Sequence, residues 1–136
     1  MSLPTPHQFI EPAGWPRPRG YSNGVAATGR QLYFAGQIGW NDRQEFESDE
    51  LIGQARQALV NIATLLEAAG AKPEHVVRLT WYITDRAAYL AAGPALGTAY
   101  REVMGKHYPA MSAVQVVALV ESRAVVEIEA TAVVPA

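Results

Sequence analysis

The chain has 136 residues, of which 49% are hydrophobic and 18% are charged, and it carries a formal net charge of −2 and no cysteine. This length favours one domain over residues 1–136, which would bury about two thirds of the unfolded chain's surface. Without cysteine, thiolate nucleophiles, disulfides and zinc–cysteine sites are excluded. The 11 basic residues are scattered, so we expect no nucleic-acid partner, and Arg17 and Arg19 are interpreted as solvated residues of a proline-stiffened loop.

The N-terminal segment lacks the pattern of a targeting signal. MSLPTPHQFIEPAGW has neither the basic start nor the apolar run of a signal peptide. No stretch of the chain reaches the roughly 18 apolar residues of a membrane span. We therefore expect a cytoplasmic protein with no membrane partner.

The first third of the chain predicts three strands. Five prolines fall between residues 4 and 18, so residues 1–20 should be extended, with a short edge strand at 7–10. The next two strands are predicted at 23–28 and 31–38. Gly29-Arg30 between them is typical of the two-residue turn of a β-hairpin.

The remaining chain predicts two helices and three strands. Apolar residues recur at steps of three and four over 51–69, and Gly70 follows where a helix-ending glycine belongs. VVRLTWYI, residues 76–83, is rich in strand formers. A second helix should cover 85–104, with a break near Gly93 caused by Pro94. The last two strands are predicted at 113–120 and 125–134, with ESRA as their turn.

The order β-β-β-α-β-α-β-β predicts an α+β domain with two layers, in which both helices cover one face of a mixed sheet. Alternation assigns these residues to the helix-covered face: Val77, Leu79, Trp81, Ile83, Val126, Ile128, Ala130, Ala132 and Val134. The opposite face is mixed rather than polar, and two helices cannot cover both faces. We therefore expect a homo-oligomer with any pockets between its subunits.

Few residues outside the core carry chemistry in a recognisable pattern. The three histidines, at positions 7, 75 and 107, lack metal-ligand spacing and are interpreted as surface or loop residues. No serine lies in a nucleophile-elbow context. Glu127 and Glu129 share one strand face between valines. They are either an exposed or interface pair bridged to Arg78 or Arg123, or one of them orients a water as a general acid or base.

Several motifs together are similar to a known family. GYSNGV, LYFAGQIG, QARQALVNIATLLEAAGA, VVRLTWYITD, YPAMSAVQV and VEIEATAVV occur in this order between Tyr21 and Val134. On these motifs the chain resembles the RidA (YjgF) family. The resemblance implies a homotrimer with a chorismate-mutase-like fold, with sheets inside, helices outside and clefts between subunits. It also implies hydrolysis of enamines and imines, such as 2-aminoacrylate, without metal or cofactor.

The resemblance assigns roles to particular residues. In the family an arginine holds the substrate carboxylate and a glutamate positions the attacking water. The glutamate of VEIEA corresponds to Glu127, and the tyrosine of the family's GPYS-like motif corresponds to Tyr21. The glycine and glutamine of the SGQ motif correspond to Gly36 and Gln37.

Three positions depart from the family pattern. Active members have PARS where this chain has Pro109-Ala110-Met111-Ser112, so Met111 replaces the arginine. Ala35 replaces the SGQ serine, and Ala113 replaces a frequent cysteine after PARS. We therefore expect Met111, Ser112 and Ala113 to line a pocket that has lost its carboxylate clamp.

The missing clamp predicts a change of ligand. A bidentate arginine–carboxylate contact contributes about 3–6 kcal/mol, or on the order of 10² to 10⁴ in affinity. Methionine offers an adaptable apolar surface instead. The first hypothesis is a trimer that binds a small, more apolar or uncharged metabolite, with or without residual hydrolysis through Glu127. The alternatives are an enamine/imine deaminase that uses Arg17, Arg19 or Arg78 instead, and a non-enzymatic interaction or chaperone-like protein.

Overall fold

A computed structural model of the chain describes residues 5–136. Its elements are β1 (Gln8–Ile10), β2 (Gly24–Ala26), β3 (Arg30–Ile38), α1 (Leu51–Ala68), β4 (Val76–Ile83), α2 (Arg86–Met104), β5 (Ala110–Gln115) and β6 (Val126–Val134). This order confirms the predicted α+β succession. Residues 1–4 of the predicted extended segment lie outside the described residues.

A four-stranded mixed sheet forms one layer of the fold, in the order β3-β6-β4-β5. The β3–β6 and β4–β6 pairs are antiparallel, whereas β4 and β5 are parallel. Helix α1 packs on α2 and on the sheet, and side chains of both helices join one core with β4 and β6. No helix within residues 5–136 is long and apolar enough to cross a membrane.

Two predicted strand pairings are wrong. β2 pairs with β1 in a separate two-stranded sheet, whereas β3 pairs with β6, so Gly29 and Arg30 do not join a hairpin. β5 pairs with β4 rather than with β6, and it ends at Gln115, opposite the last residue of β4. Val117 and Val120, predicted as strand, lie fully exposed in a loop. Strand propensity shows only that a segment can extend, whereas pairing requires a partner edge.

The predicted alternation of faces holds for β6 from Val126 to Ala132. At the end of the strand Val133 is buried as well, and Val134 is half-buried against the core. Val126, Ile128, Ala130 and Ala132 are buried, whereas Glu127 and Glu129 are partly exposed. In β4 the buried residues are Leu79, Trp81, Ile83 and Val76, the last in place of the expected Val77. The β4–β6 register shifts between Val76 and Arg78, and such a bulge reverses the facing of the residues before it. The face with Glu127 and Glu129 carries no helix and is called the open face below.

The second helix breaks where it was predicted to break. Gly93 has φ +37° and ψ −116°, which is not helical and is strained for any residue with a Cβ. Pro94 follows and cannot donate the hydrogen bond that would continue the helix. Both Gly93 and Gly97 line a cavity beside the helix.

A buried glutamine fastens α1 to the start of β6. Gln54 is fully buried, and its Nε2 donates to the carbonyl oxygens of Ser48 (3.0 Å) and Arg123 (2.9 Å). Its Oε1 accepts from the backbone N–H of Val125 at 2.9 Å. Burying these backbone groups without partners would cost about 1–3 kcal/mol each.

We expect Gln54→Ala to lower the free energy of unfolding by roughly 2–4 kcal/mol, because it removes the partners of three backbone groups. Urea unfolding followed by tryptophan fluorescence measures the change. Gln57→Ala is the matched control, since Gln57 donates one hydrogen bond to Asn61 on the same helix, and it should cost at most about 1.5 kcal/mol. Equal losses in the two variants would contradict this role of Gln54.

The three histidines come together although they are distant in sequence. Nε2 of His7 bonds the carbonyl oxygen of His75 at 3.2 Å, and Nε2 of His107 bonds that of Val76 at 2.7 Å. His107 lies in a loop, as the surface-or-loop prediction allowed, but it is only 4% exposed and is therefore not a surface residue. Burial lowers the pKa of both His107 and His75 below the usual 6.5.

These lowered pKa values predict acid destabilisation. A histidine that binds its proton more weakly when folded contributes full stability above pH 6.5, and that contribution is lost as the pH falls toward the folded pKa. We expect the unfolding free energy to fall by up to about 1.4 kcal/mol per pH unit per histidine in this window. Urea unfolding at stepwise lower pH should show a shallower slope in His107→Gln than in the unmodified protein. An unchanged slope would exclude His107 as a source.

Candidate functional site

The predicted site residues lie on opposite faces of the sheet. Met111 pairs with Leu79, whose side chain belongs to the core under the helices. Glu127 pairs with Tyr82, which follows the buried Trp81 and therefore faces away from the helices. Met111 and Glu127 of one chain are thus separated by the sheet itself.

Glu127 lies against a glycine on the neighbouring strand. A Cβ on Gly36 would stand only 2.7 Å from Cδ of Glu127 and 2.8 Å from its Cγ. The β3–β6 register shifts between Phe34 and Gln37, so the bulge and the missing side chain make room for the carboxylate. Nε2 of Gln37 donates to the carbonyl oxygen of Ala35 across this bulge at 3.0 Å. Gly36 of the AGQ motif therefore lies against Glu127, and the hydrogen bond from Gln37 to Ala35 spans the bulge beside it.

Glu129 has a structural partner of its own. Its carboxylate accepts a hydrogen bond from the hydroxyl of Tyr82 at 2.6 Å, and this bond is the main cause of the raised pKa of Tyr82. Arg123 pairs with Asp49 at 2.6 Å instead of with either glutamate. Arg78 lines a cleft of about 230 Å³ on the open face together with Glu129. Glu129 therefore acts as a hydrogen-bond acceptor for Tyr82.

Tyr21 stands where the N-terminal segment meets the sheet. The following residue, Ser22, donates its backbone N–H to the carbonyl oxygen of Pro109 at 3.0 Å and bridges to Ala110 in β5. Tyr21 is 41% exposed. This bridge holds the segment of Arg19 and Tyr21 beside the strand that carries Met111.

Met111 lines a cavity of about 440 Å³ between α2, β4 and this N-terminal segment. Ala113 shares its strand face with Met111 because it pairs with Trp81, whereas Ser112 pairs with Thr80 and faces the open side. The structure thus brings Met111 and Ala113 to one face and leaves Ser112 on the other. The other lining residues are Arg19, Gly20, Trp81, Tyr89, Leu90, Gly93, Leu96, Gly97, Tyr100, Arg101 and Tyr108.

Two arginines in this cavity change the expectation of an apolar pocket. Arg19 is an exposed loop residue, as expected, and it also lines the cavity with Met111. Arg101 of α2 lines it as well and lies over Gly97, where a Cβ would be 3.2 Å from its Nη1. The only sequence signal for Arg19 was the RPR cluster before Tyr21. Arg101 gave no signal, since its place depends on how α2 packs.

Comparison with known proteins assigns the chain to a family. The family model described as endoribonuclease L-PSP matches residues 16–134. The chain belongs to the RidA (YjgF) family. A 2-iminobutanoate/2-iminopropanoate deaminase from Dermatophagoides farinae is 31% identical over 131 residues, which cover 96% of this chain and 98% of that protein. A RutC family protein from Pyrococcus horikoshii is 35% identical over 119 residues, covering 86% and 90%.

Solved structures of RidA-family proteins have the same fold. A Rid family protein from Yersinia pestis superimposes with a TM-score of 0.82 at 34% identity, covering 94% of this chain and 98% of that one. RidA from Psychrobacter gives a TM-score of 0.68 at 30% identity, covering 93% and 99%. The resemblance inferred from the motifs is therefore confirmed for family and fold.

Proposed function

We propose that this RidA-family chain forms a homotrimer that binds a small metabolite in clefts between its subunits, with Met111 in place of the family's arginine. One observation carries the proposal: Met111 and Glu127 lie on opposite faces of the same sheet. A single chain therefore lacks a site that contains both. A neighbouring subunit that presents Glu127 to the Met111 cavity completes it.

The open face supports association between subunits. Tyr33 is 73% exposed and Val114 is 45% exposed there, and a sheet face without helices is a common contact surface in symmetric oligomers. Light scattering on the protein as it elutes from a size-exclusion column should give a molar mass three times the 14.7 kDa of one chain. A monomer at micromolar concentration would refute the proposal.

The chemistry that fits Glu127 is hydrolysis of a C=N bond. Water attacks the imine carbon while the carboxylate of Glu127 accepts its proton, and the C=N electron pair moves onto nitrogen. The protonated carboxylate returns this proton to nitrogen, which gives the neutral carbinolamine. The carboxylate then takes the proton of the carbinol hydroxyl and passes it to nitrogen as the C–N bond breaks and C=O forms, so that ammonia leaves and Glu127 is again ionised. No other reactant is required.

A ligand screen tests the metabolite-binding proposal. Thermal shift with neutral enamines, imines and aromatic metabolites should raise the melting temperature for at least one class, because a ligand that binds only the folded state stabilises it. Gly97→Leu is a matched variant that fills the cavity and should abolish the shift. Absence of any stabilisation, by neutral or by acidic compounds, would count against a functional pocket.

A second candidate function is deamination of acidic imines with a substitute cation. Arg19 in the Met111 cavity favours it, because an arginine there can hold the substrate carboxylate. A coupled assay with freshly generated 2-aminoacrylate tests it. Activity that is lost in Arg19→Ala supports this candidate, whereas activity that appears only in Met111→Arg supports an apolar or uncharged ligand.

A further inference from the structure

The Met111 cavity combines positive charge with an apolar wall. Arg19 and Arg101 line it, and none of the described residues around it is acidic. Within residues 5–136, the arginines that form ion pairs are others, those at positions 43, 56 and 123. Two arginines without a carboxylate partner on one cavity wall favour an anionic ligand.

The tyrosines of the cavity do not offset this charge. Burial raises the pKa of Tyr89 and of Tyr100 above the usual 10.0, so both phenols stay neutral at physiological pH. The hydroxyl of Tyr100 donates to the carbonyl oxygen of His107 at 2.5 Å, which holds its ring in the wall. Tyr108 stacks on Tyr100 with 5.5 Å between ring centroids.

A buried donor in the same wall lacks an acceptor. Nε1 of Trp81 is buried and has no hydrogen-bond partner among the described residues, although Trp81 lines the cavity. Buried donors are nearly always paired in folded proteins. A ligand oxygen that enters the cavity, with a small shift of the indole, would supply this acceptor.

The size of the cavity exceeds the needs of a pyruvate-sized acid. Its volume of about 440 Å³ falls in the range of about 300–1,000 Å³ of pockets that hold drug-sized ligands. The break of α2 at Gly93 and the missing side chain at Gly97 leave space on the helix side. Met111, Leu90 and Leu96 provide apolar surface there.

We propose that this cavity selects a 2-imino or 2-keto acid with a bulky apolar or aromatic side chain, with Arg19 and Arg101 binding its carboxylate. The proposal rests on the proposed metabolite site and specifies its ligand class. Met111, Leu90 and Leu96 contact the side chain of the ligand. The two arginines neutralise the ligand carboxylate, as the single arginine of the family motif would.

Binding of stable analogues tests this ligand class without requiring catalysis. Calorimetric titration compares phenylpyruvate with pyruvate, which lacks the ring, and with benzyl methyl ketone, which lacks the carboxylate. Phenylpyruvate should bind at least about 10-fold more tightly than either. Arg19→Ala and Arg101→Ala should each weaken its binding by about 10- to 100-fold. Arg17→Ala is the matched control, since Arg17 lines a different cleft, and it should change affinity by less than about 2-fold.

A further variant tests the unpaired indole. Trp81→Phe should weaken phenylpyruvate binding by about 3- to 10-fold, because it removes the donor that the ligand oxygen would pair with. It should also lower the urea midpoint of the free protein, because Trp81 is only 3% exposed and packs in the core, where a smaller ring leaves a cavity. A lowered midpoint with unchanged phenylpyruvate affinity would show that Trp81 has a structural role only.

The alternative outcomes separate this inference from the proposed function. Equal affinity for pyruvate and phenylpyruvate would refute the selection for a bulky side chain. Equal affinity for phenylpyruvate and the neutral ketone would refute the binding of the carboxylate by the two arginines. In both cases the metabolite site itself remains. If none of the three compounds binds, this ligand class is refuted, and the neutral screen described above then decides whether a site exists.

Discussion

Replacing Glu127 by glutamine should lower kcat for imine hydrolysis by about 10²- to 10⁴-fold, with little change in ligand binding. Glutamine keeps the shape of the side chain beside Gly36 but cannot accept a proton. The measurement is the initial rate of keto-acid formation from imines generated in the cuvette, corrected for uncatalysed hydrolysis. Phenylpyruvate affinity in the same variant separates catalysis from binding.

Glu129→Gln is the matched control for this variant. Glu129 lies two residues away on the same open face, but it accepts a hydrogen bond from the hydroxyl of Tyr82. Its replacement should therefore change kcat by less than about 5-fold. Gly36→Ala provides an independent route to the same defect, because its Cβ would displace the Glu127 carboxylate. Full activity in Glu127→Gln would show that another group handles the proton.

The sequence was sufficient for the elements and their faces, but it was insufficient for strand pairing. Periodicity identifies the buried face of β6 because alternate residues of a strand point to the same side. It cannot decide which strands become neighbours. Gly29-Arg30 has the composition of a hairpin turn, yet β3 gains more by pairing with the full length of β6 than with the short β2. Pairing is a property of the whole sheet.

In the candidate site, too, local motifs predicted which residues belong to it, whereas packing and strand register determine where those residues lie. Motifs identified Glu127, Gly36 and Met111, and the structure places the first two in contact. The separation of Met111 from Glu127 follows from the β4–β5 and β4–β6 registers, which no local motif encodes. The location of Arg19 depends on the bridge between Ser22 and β5. With methionine at position 111, the cavity still carries the positive charge of Arg19 and Arg101.

Two inactive variants should restore activity when they share an oligomer. Gly97→Leu blocks the Met111 cavity but keeps Glu127, since a Cβ there meets only the flexible side chain of Arg101. Glu127→Gln keeps the cavity but removes the proton acceptor. Each homo-oligomer should be inactive, because every site contains one defect. In a site built from two subunits, a blocked subunit can donate its intact Glu127 to a neighbour whose cavity is intact.

The expected recovery has a definite size. In a ring of three subunits of mixed composition, one junction of the three joins an intact cavity to an intact Glu127. Trimers that carry both variants, isolated by two different affinity tags, should therefore show about one third of the unmodified rate. The control is a mixture of the two separately purified homo-oligomers. It should stay inactive when it is assayed before the subunits have time to exchange. No recovery in mixed trimers would mean that Met111 and Glu127 never share a site, because the sheet would then separate them in the assembly as it does in the single chain.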